Sequence, residues 1–213
     1  MESEAIKPRR HAAGHDPAKR EAILNGAARV FMDSGFDAAS VNDICRVAGV
    51  SKSTMYVYFT SKEDLFEALM DRERDRVFKN LEEILSEDQP LKEKLYNFTF
   101  AFAKMLCSTE IIRAQRTVIA MAERMPELCA RFYDNGPLRM RHSVERFLED
   151  ETADGTLEVQ DTVLASHQLI ELSTAGLWRQ CLFGRISVPP PEETITATSK
   201  SAVDAFLSMY AKR

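Results

Sequence analysis

The sequence predicts an all-α protein, and three observations carry that prediction. Apolar residues recur three and four positions apart through most of the 213 residues, which is the spacing of one helix face. Only eight Gly and eight Pro are present. Several of them stand where a helix would begin or end, as Pro17 and Gly49 do. With 45% hydrophobic and 29% charged residues, the chain has the composition of a globular protein.

A first helix is predicted to begin after Asp16, whose side chain can cap it, with Pro17 at the first helical position. Its apolar stripe runs from Ile23 to Phe31, and Gly35 should close the helix. We expect this helix to brace the segment that follows it.

Two short helices joined by a tight turn are predicted in residues 40–59. Ser40 can cap the first helix, and Gly49 can end it in the left-handed conformation that glycine adopts without a clash. Ser51 can cap the second helix, 52–58, whose exposed residues are polar and lack carboxylates. Such a surface suits phosphates and base edges, and the arrangement is that of a helix-turn-helix. On this geometry alone, an ordinary helical hairpin is the alternative.

The same stretch and the residues after it closely resemble the DNA-binding signature of the tetracycline-repressor (TetR) family of bacterial regulators. The resemblance covers roughly the first third of the chain, and Cys45 replaces the Ala that is usual in the family. The matching residues are Ser40, Ile44, Ala48, Gly49, Val50, Ser51, Tyr56, Tyr58, Phe59, Lys62, Glu63, Asp64 and Leu65.

A DNA-facing surface follows from this resemblance and from the chemistry of the side chains. We expect Tyr56 and Lys62 to bind backbone phosphates, as the lysine at that position does in the family. Lys52, Ser53 and Thr54 should read base edges. Asn42 on the first short helix is a further candidate for this role. The full set of candidate DNA-binding residues is Ser40, Asn42, Ser51, Lys52, Ser53, Thr54, Tyr56, Tyr58 and Lys62. Ser51 is expected mainly to cap its helix.

The net charge of −5 is distributed unevenly along the chain. Residues 1–64 hold nine basic and nine acidic side chains, whereas residues 65–213 hold 19 basic and 24 acidic ones. The acidic excess therefore belongs to the part of the chain that is not proposed to face DNA.

The remaining chain is predicted to be helical in several segments. Ser61 can cap a helix that reaches about Ser86 and would be about 37 Å long. Further helices are predicted from 91, over 110–125, from 126 to about 151 with an interruption at Gly136 and Pro137, over 161–183, and after 189–191.

Segment 161–183 is apolar on two sides, so it should have two packing partners. The last helix carries a stripe of small and large apolar residues. Two such helices that pair with their twofold mates would form a four-helix dimer interface. The candidate interface residues are Leu172, Ala175, Ala202, Val203 and Phe206.

Residues 116–136 resemble the C-terminal domain of the AefR-like branch of the TetR family. The shared pattern is an apolar run, Glu, an aromatic residue or Met, Pro-Glu-Leu, and Phe-Tyr before Gly-Pro. Met125 stands where that branch often has Phe. Several members of the branch regulate efflux or membrane-stress genes, and the resemblance implies a comparable role.

Aromatic and sulfur-containing side chains are plentiful in these helices, and such side chains repack readily around apolar guests. For each of them, filling the core is the alternative. We expect an apolar or aromatic effector, and the candidate effector-binding residues are Phe98, Phe102, Met105, Met121, Met125, Phe132 and Trp178.

The sequence excludes several other classes of protein. It contains no Gly-rich phosphate loop, HExxH, G-x-S-x-G or CxxC, so we expect no enzyme, no cofactor and no metal. The four scattered Cys are expected to be reduced core residues. No apolar run approaches the ~18 residues of a membrane span, and a cytoplasmic bacterial protein is predicted.

The combined prediction is a homodimeric repressor that binds a palindromic operator and releases it when a small molecule binds. We predict a flexible basic tail in 1–15, a DNA-binding domain in 16–62, and an effector-binding and dimerisation domain in 63–213. A helix-turn-helix regulator that answers to a protein partner or acts as an activator is the alternative, and a helical enzyme is a distant third.

Overall fold

The computed structural model describes residues 15–212, so most of the predicted basic tail lies outside the described residues. Helices make up the described chain, with an isolated antiparallel bridge between Leu157 and Ala211. The all-α prediction is confirmed. The chain divides into two compact units, with the boundary between Met70 and Asp71.

The first unit contains α1 (Pro17–Ala38), α2 (Val41–Ala48), α3 (Lys52–Tyr58) and the beginning of α4 (Lys62–Ser86). As predicted, the Asp16 side chain caps α1, accepting a hydrogen bond from the backbone N–H of Ala18 at 3.0 Å. Gly35 interrupts the helical geometry with φ = 75°, although the chain winds on to Ala38.

One apolar cluster holds the first unit together, and α1 and α2 approach closely beside it. A Cβ added at Gly26 would lie 2.8 Å from the Cβ of Ala48 and 2.9 Å from its backbone nitrogen. The buried members of this cluster are Ile23, Leu24, Ala27, Val30, Ala39, Ile44, Cys45, Met55, Phe59, Leu65 and Leu69.

The second unit contains the rest of α4 and the remaining helices. These are α5 (Leu91–Leu106), α6 (Thr109–Met121), α7 (Pro126–Tyr133), a π-helical turn (Asp134–Leu138), α8 (Arg139–Ala153), α9 (Thr162–Ser173), α10 (Trp178–Leu182) and α11 (Glu192–Tyr210). None of the helices described in residues 15–212 is both long and apolar enough to cross a membrane.

Proline and glycine mark the helix breaks of the second unit. The interruption predicted at Gly136 and Pro137 is present as the π-helical turn. The prediction of one helix over 161–183 is wrong, because α9 ends at Ser173 and a turn with Gly176 at φ = 76° separates it from α10. The apolar pattern continues through the turn, so the sequence does not reveal this break.

The second unit has two apolar clusters. The larger one joins α4, α5, α8, α9 and α11, with Phe98 and Phe206 fully buried in it. The smaller one contains Cys107 and Cys181, and joins α5, α6, α10 and α11. The helices thus enclose their own cores within one chain.

Candidate nucleic-acid interface

The turn between α2 and α3 has the predicted caps. The Ser40 hydroxyl oxygen accepts a hydrogen bond from the backbone N–H of Asp43 at 3.1 Å, which fixes the start of α2. Gly49 ends α2 in the left-handed conformation, with φ = 68° and ψ = 32°. Hydrogen bonds from Arg46 and from Ser40 hold the pKa of the Asp43 carboxyl below its usual value.

The start of α3 is fixed by hydroxyl groups. Ser51 accepts a hydrogen bond from the backbone N–H of Thr54 at 3.0 Å. Its hydroxyl also lies 2.8 Å from the hydroxyls of Ser53 and Thr54. The hydroxyl of Ser51 therefore caps the helix, as predicted, and contacts two neighbouring candidate residues.

The solvent-facing side of α3 has the polar character that was predicted. Lys52 and Ser53 are exposed and Tyr56 is 46% exposed, while Asn42 is exposed on α2. Thr54 is half-buried. Val57, which sequence reasoning left out, is 52% exposed on the same short helix. An apolar side chain exposed among hydroxyls and a cation could contact a thymine methyl group.

Tyr58 makes a hydrogen bond within the first unit that the sequence did not predict. Its side chain is half-buried, and its phenolic oxygen accepts a hydrogen bond from the backbone N–H of Asp16 at 3.2 Å. The structure thus uses Tyr58 to connect the last turn of α3 to the N-cap of α1. The phenolic O–H remains able to donate, so its predicted contact with DNA stays a prediction.

The ammonium group of Lys62 is also directed into the protein. It donates hydrogen bonds to the backbone carbonyl oxygens of Phe36 and Ala39, which end α1. The structure contains no DNA, so the predicted contact of Lys62 with a phosphate stays a prediction. A motif match places the residue but does not reveal which groups of its own chain compete for the cation.

The predicted effector-binding residues are not all in the same apolar cluster. Phe98 and Phe102 stack with ring centroids 5.7 Å apart in the larger core cluster, whereas Trp178 packs against the smaller one. Trp178 donates a hydrogen bond from Nε1 to the Gln115 side chain at 2.7 Å. Phe98, Phe102 and Met121 are buried, and Met105, Met125, Phe132 and Trp178 are half-buried.

A small cavity of about 140 Å³ lies beside Trp178. Its lining comes from the end of α9, the turn after it and the start of α10, and includes Glu171, Thr174, Ala175, Gly176, Trp178, Arg179 and Gln180. This volume is below the ~300–1,000 Å³ that is usual for small-molecule sites.

The predicted dimer stripe on α11 is wrong in three of its members. Ala202, Val203 and Phe206 are 2%, 1% and 0% exposed within a single chain, so a partner subunit cannot reach them. The stripe packs on α5 and α9 instead. Of the two α9-side candidates, Leu172 packs against the core and Ala175 is exposed.

Other chemistry of the described residues is limited. In residues 15–212, no group of three or more His, Cys, Asp or Glu side chains is arranged to hold a metal ion. The four cysteines are free thiols, and burial next to Cys181 raises the pKa of Cys107 to about 12.

Two family profiles match this chain. Residues 23–69 match the family profile described as "Bacterial regulatory proteins, tetR family". Residues 93–212 match the profile described as "AefR-like transcriptional repressor, C-terminal domain".

Individual proteins show the same similarity over most of the chain. A putative TetR-family transcriptional regulator from Mesorhizobium loti MAFF303099 is 26% identical, with a TM-score of 0.85 over 93% of this chain and 100% of that one. The flavonoid-responsive regulator FrrA is 27% identical, with a TM-score of 0.75 over the same shares. The fatty acid metabolism regulator protein of Bacillus subtilis (strain 168) is 25% identical over 178 residues, which are 82% of this chain and 80% of that protein.

Proposed function

Because the chain belongs to the TetR family of bacterial regulatory proteins, we propose that it is a homodimeric repressor that a small apolar or aromatic molecule releases from a palindromic operator. It is a DNA-binding transcriptional regulator rather than an enzyme. The bacterial cytoplasm is the compartment that fits this role.

The polar, solvent-facing surface of α3 is the observation that carries the proposal. Caps at Ser40 and Ser51 and the left-handed Gly49 hold a two-turn helix whose exposed residues include one cation and no carboxylate. In a helix-turn-helix, the second helix enters the major groove. Lys52 and Ser53 would then read base edges, and Tyr56 would donate to a phosphate oxygen.

The test of this surface compares sequence preferences. A Lys52→Ala, Ser53→Ala double variant and the wild type are each used to select duplexes from a random-sequence library. Each lost base contact should cost about 1–3 kcal/mol of discrimination, so the two selected sequences should differ. Identical preferences in the two proteins would show that α3 does not read the DNA.

The dimer interface that we now propose uses the solvent-facing sides of α9 and α11. Val163 and Leu164 on α9 are 46% and 51% exposed, and Met209 on α11 is 50% exposed. Ala175 is exposed in the turn after α9, and Ala197 and Ser201 supply small exposed positions on α11. Two recognition helices must lie about 34–36 Å apart to enter successive major grooves, and a dimer fixes that distance.

A charge on this face tests the interface. Leu164→Glu would place a carboxylate between the subunits, and it should convert the dimer to a folded monomer that has lost tight operator binding. Gel filtration with light scattering measures the change. Glu158→Ala, which alters an exposed residue before α9, serves as the control and should remain dimeric.

The effector is proposed to bind among α5 to α10. Phe102 and Met105 on α5 and Trp178 on α10 supply apolar and sulfur surface. FrrA, to which the chain is similar, is a flavonoid-responsive regulator. A molecule wedged there could pivot α4, whose residues belong to both units, and so change the half-site spacing. By linkage, an effector that weakens DNA binding must itself bind the DNA complex more weakly.

Because Trp178 is the single tryptophan of the sequence, its fluorescence can be used to test effector binding. Flavonoids and fatty acyl compounds are titrated into the purified protein while Trp178 fluorescence is recorded, and any compound that changes it is added to a gel-shift of the operator complex. An effector should perturb the fluorescence and release DNA over one concentration range, and Phe102→Ala should weaken both. A compound that changes Trp178 fluorescence without releasing DNA binds the protein but is not its effector.

A second candidate is a repressor that answers to a protein partner instead of a small molecule. The burial of Phe98, Phe102 and Met121 in packed clusters favours it, because these side chains then serve the core. Failure of every compound in the titration to release DNA would support this alternative.

A further inference from the structure

Phe183, which follows α10, is the most exposed large apolar side chain of residues 15–212, at 83%. Its backbone is nevertheless fixed, because its N–H donates to the carbonyl oxygen of Arg179 at 2.9 Å. Arg116 of α6 holds the same end of α10 and donates to the carbonyl oxygens of Leu182 at 2.8 Å and Cys181 at 2.7 Å. A single exposed apolar residue needs no explanation. An aromatic ring on a fixed backbone, however, has the form of an interface anchor, which fills a pocket on a partner.

The cavity of about 140 Å³ beside Trp178 has the size of such a ring. An engineered apolar cavity of about 150 Å³ in another protein binds benzene. The indole of Trp178 and the small residues Ala175 and Gly176 contribute to the lining. At the rim, Glu171 and Arg179 form an exposed ion pair at 3.4 Å, so their charges cancel where an apolar group would enter.

The ring and the cavity lie on the same side of α10. Arg179 lines the cavity, and Phe183 stands four residues later, which is the spacing of neighbours on a helix surface. Phe183 is not part of the lining in its own chain. In a twofold interface, a residue of one copy contacts a second position on the other copy, and the reverse contact is made at the same time. A ring and a ring-sized cavity side by side on one chain satisfy this condition.

The cavity also continues the face that we propose for the dimer. Leu164, His167, Glu171 and Ala175 are exposed at intervals of three and four residues along α9 and the turn after it. The last two of these residues line the cavity. A second copy packed on this side of α9 would therefore reach the cavity.

We propose that Phe183 of each subunit inserts into the cavity beside Trp178 of a second copy of this chain. The cavity is then completed only in the dimer, and two equivalent aromatic anchors fix how the copies are placed. This inference rests on the proposed homodimer, and it adds the residue and the cavity through which the copies contact each other.

The first experiment measures the dimer dissociation constant by sedimentation equilibrium. Phe183→Ala should raise this constant by about 10–100-fold, since truncation of an aromatic anchor weakens an interface while each exposed site leaves the subunit folded. Tyr133→Ala is the matched control. It removes another exposed aromatic ring, at 52%, from α7, which packs on α6 and the π-helical turn. It should leave the dissociation constant unchanged.

The second experiment tests whether the ring and the cavity meet. Ala175→Leu fills the cavity from its own chain and should weaken the dimer to a similar extent. The double variant Phe183→Ala, Ala175→Leu should then be no weaker than the weaker single variant, because both changes remove one contact. Losses that multiply in the double variant would show that the two positions act separately, and would overturn the proposal.

The third measurement follows the fluorescence of Trp178. Emission of the wild type should move to shorter wavelength as the protein concentration rises through the dissociation constant, because the entering ring displaces water from the indole. Dimeric Phe183→Ala, reached at higher concentration, should lack this shift. A spectrum that responds to added benzene but not to protein concentration would give the cavity to a free aromatic compound and overturn the proposal.

The dimer itself and this contact can fail separately. If Phe183→Ala dimerises as tightly as the wild type while Leu164→Glu is monomeric, the inference is wrong and the proposed dimer stands. If the wild type is monomeric at every concentration, both are wrong.

Discussion

Gly26 should be the residue of α1 that tolerates a side chain least. The Cβ of an alanine there would lie 2.8 Å from the Cβ, 2.9 Å from the nitrogen and 3.1 Å from the Cα of Ala48. Ordinary carbon contacts are about 3.5–4.0 Å, and backbone atoms cannot rotate away. In an unhindered helix, Gly→Ala gains about 1 kcal/mol, whereas overpacking costs about 1–3 kcal/mol. We therefore expect Gly26→Ala to destabilise the first unit by up to about 2 kcal/mol instead of stabilising it.

Two measurements test this effect. Circular dichroism monitors thermal unfolding, and a gel-shift measures operator binding at a temperature where the chain is folded. Gly26→Ala should melt earlier and bind operator DNA more weakly, because α2 must move away from α1. Ser34→Ala is the control, since Ser34 is exposed on the same helix and alanine there adds helix propensity without a clash. If Gly26→Ala were about 1 kcal/mol more stable than the wild type, the close approach of α1 and α2 would be refuted.

Further predictions concern three buried or half-buried side chains. Phe206→Ala should destabilise the chain by about 3–5 kcal/mol in urea unfolding, while the folded fraction still elutes as a dimer, because Phe206 fills the core of its own chain. Tyr58→Phe should cost about 0.5–1.5 kcal/mol, measured by thermal unfolding, through loss of the hydrogen bond from Asp16. The pKa of Cys107 is raised from 9.0 to about 12 in the folded chain. The contribution of this thiol to the free energy of unfolding is therefore fully present below pH 9 and is lost as the pH rises from 9 towards 12. Unfolding free energies measured over that range should fall less steeply for Cys107→Ala, and equal slopes would contradict the assignment.

Local signals in the sequence were sufficient for the helix-turn-helix. Caps and a left-handed glycine act within four residues of where they stand, so Ser40, Gly49 and Ser51 could be assigned without any knowledge of the fold. The same holds for the starts of α4 and α7, at Lys62 and Pro126.

Roles that depend on a distant partner could not be predicted. An apolar stripe reports that a face is buried but not what buries it, and Phe206 was therefore assigned to a subunit interface when it packs in the core. The hydrogen bonds of Lys62 and Tyr58 within the chain could not be predicted either, because the carbonyl groups and the amide that they contact lie 23–42 residues away in sequence. A signal existed for Gly26, since a glycine within a helical pattern usually has a packing reason.

The central claim is that the chain recognises operator DNA as a dimer through α3. The most direct test is selection of duplexes from a random-sequence library by the full-length wild-type protein, followed by sequencing of the bound fraction. We expect an enriched palindrome with half-sites centred about one helical turn apart or a multiple of that distance, and loss of the enrichment with Leu164→Glu. Absence of any enriched sequence, or an enriched site without twofold symmetry, would contradict it.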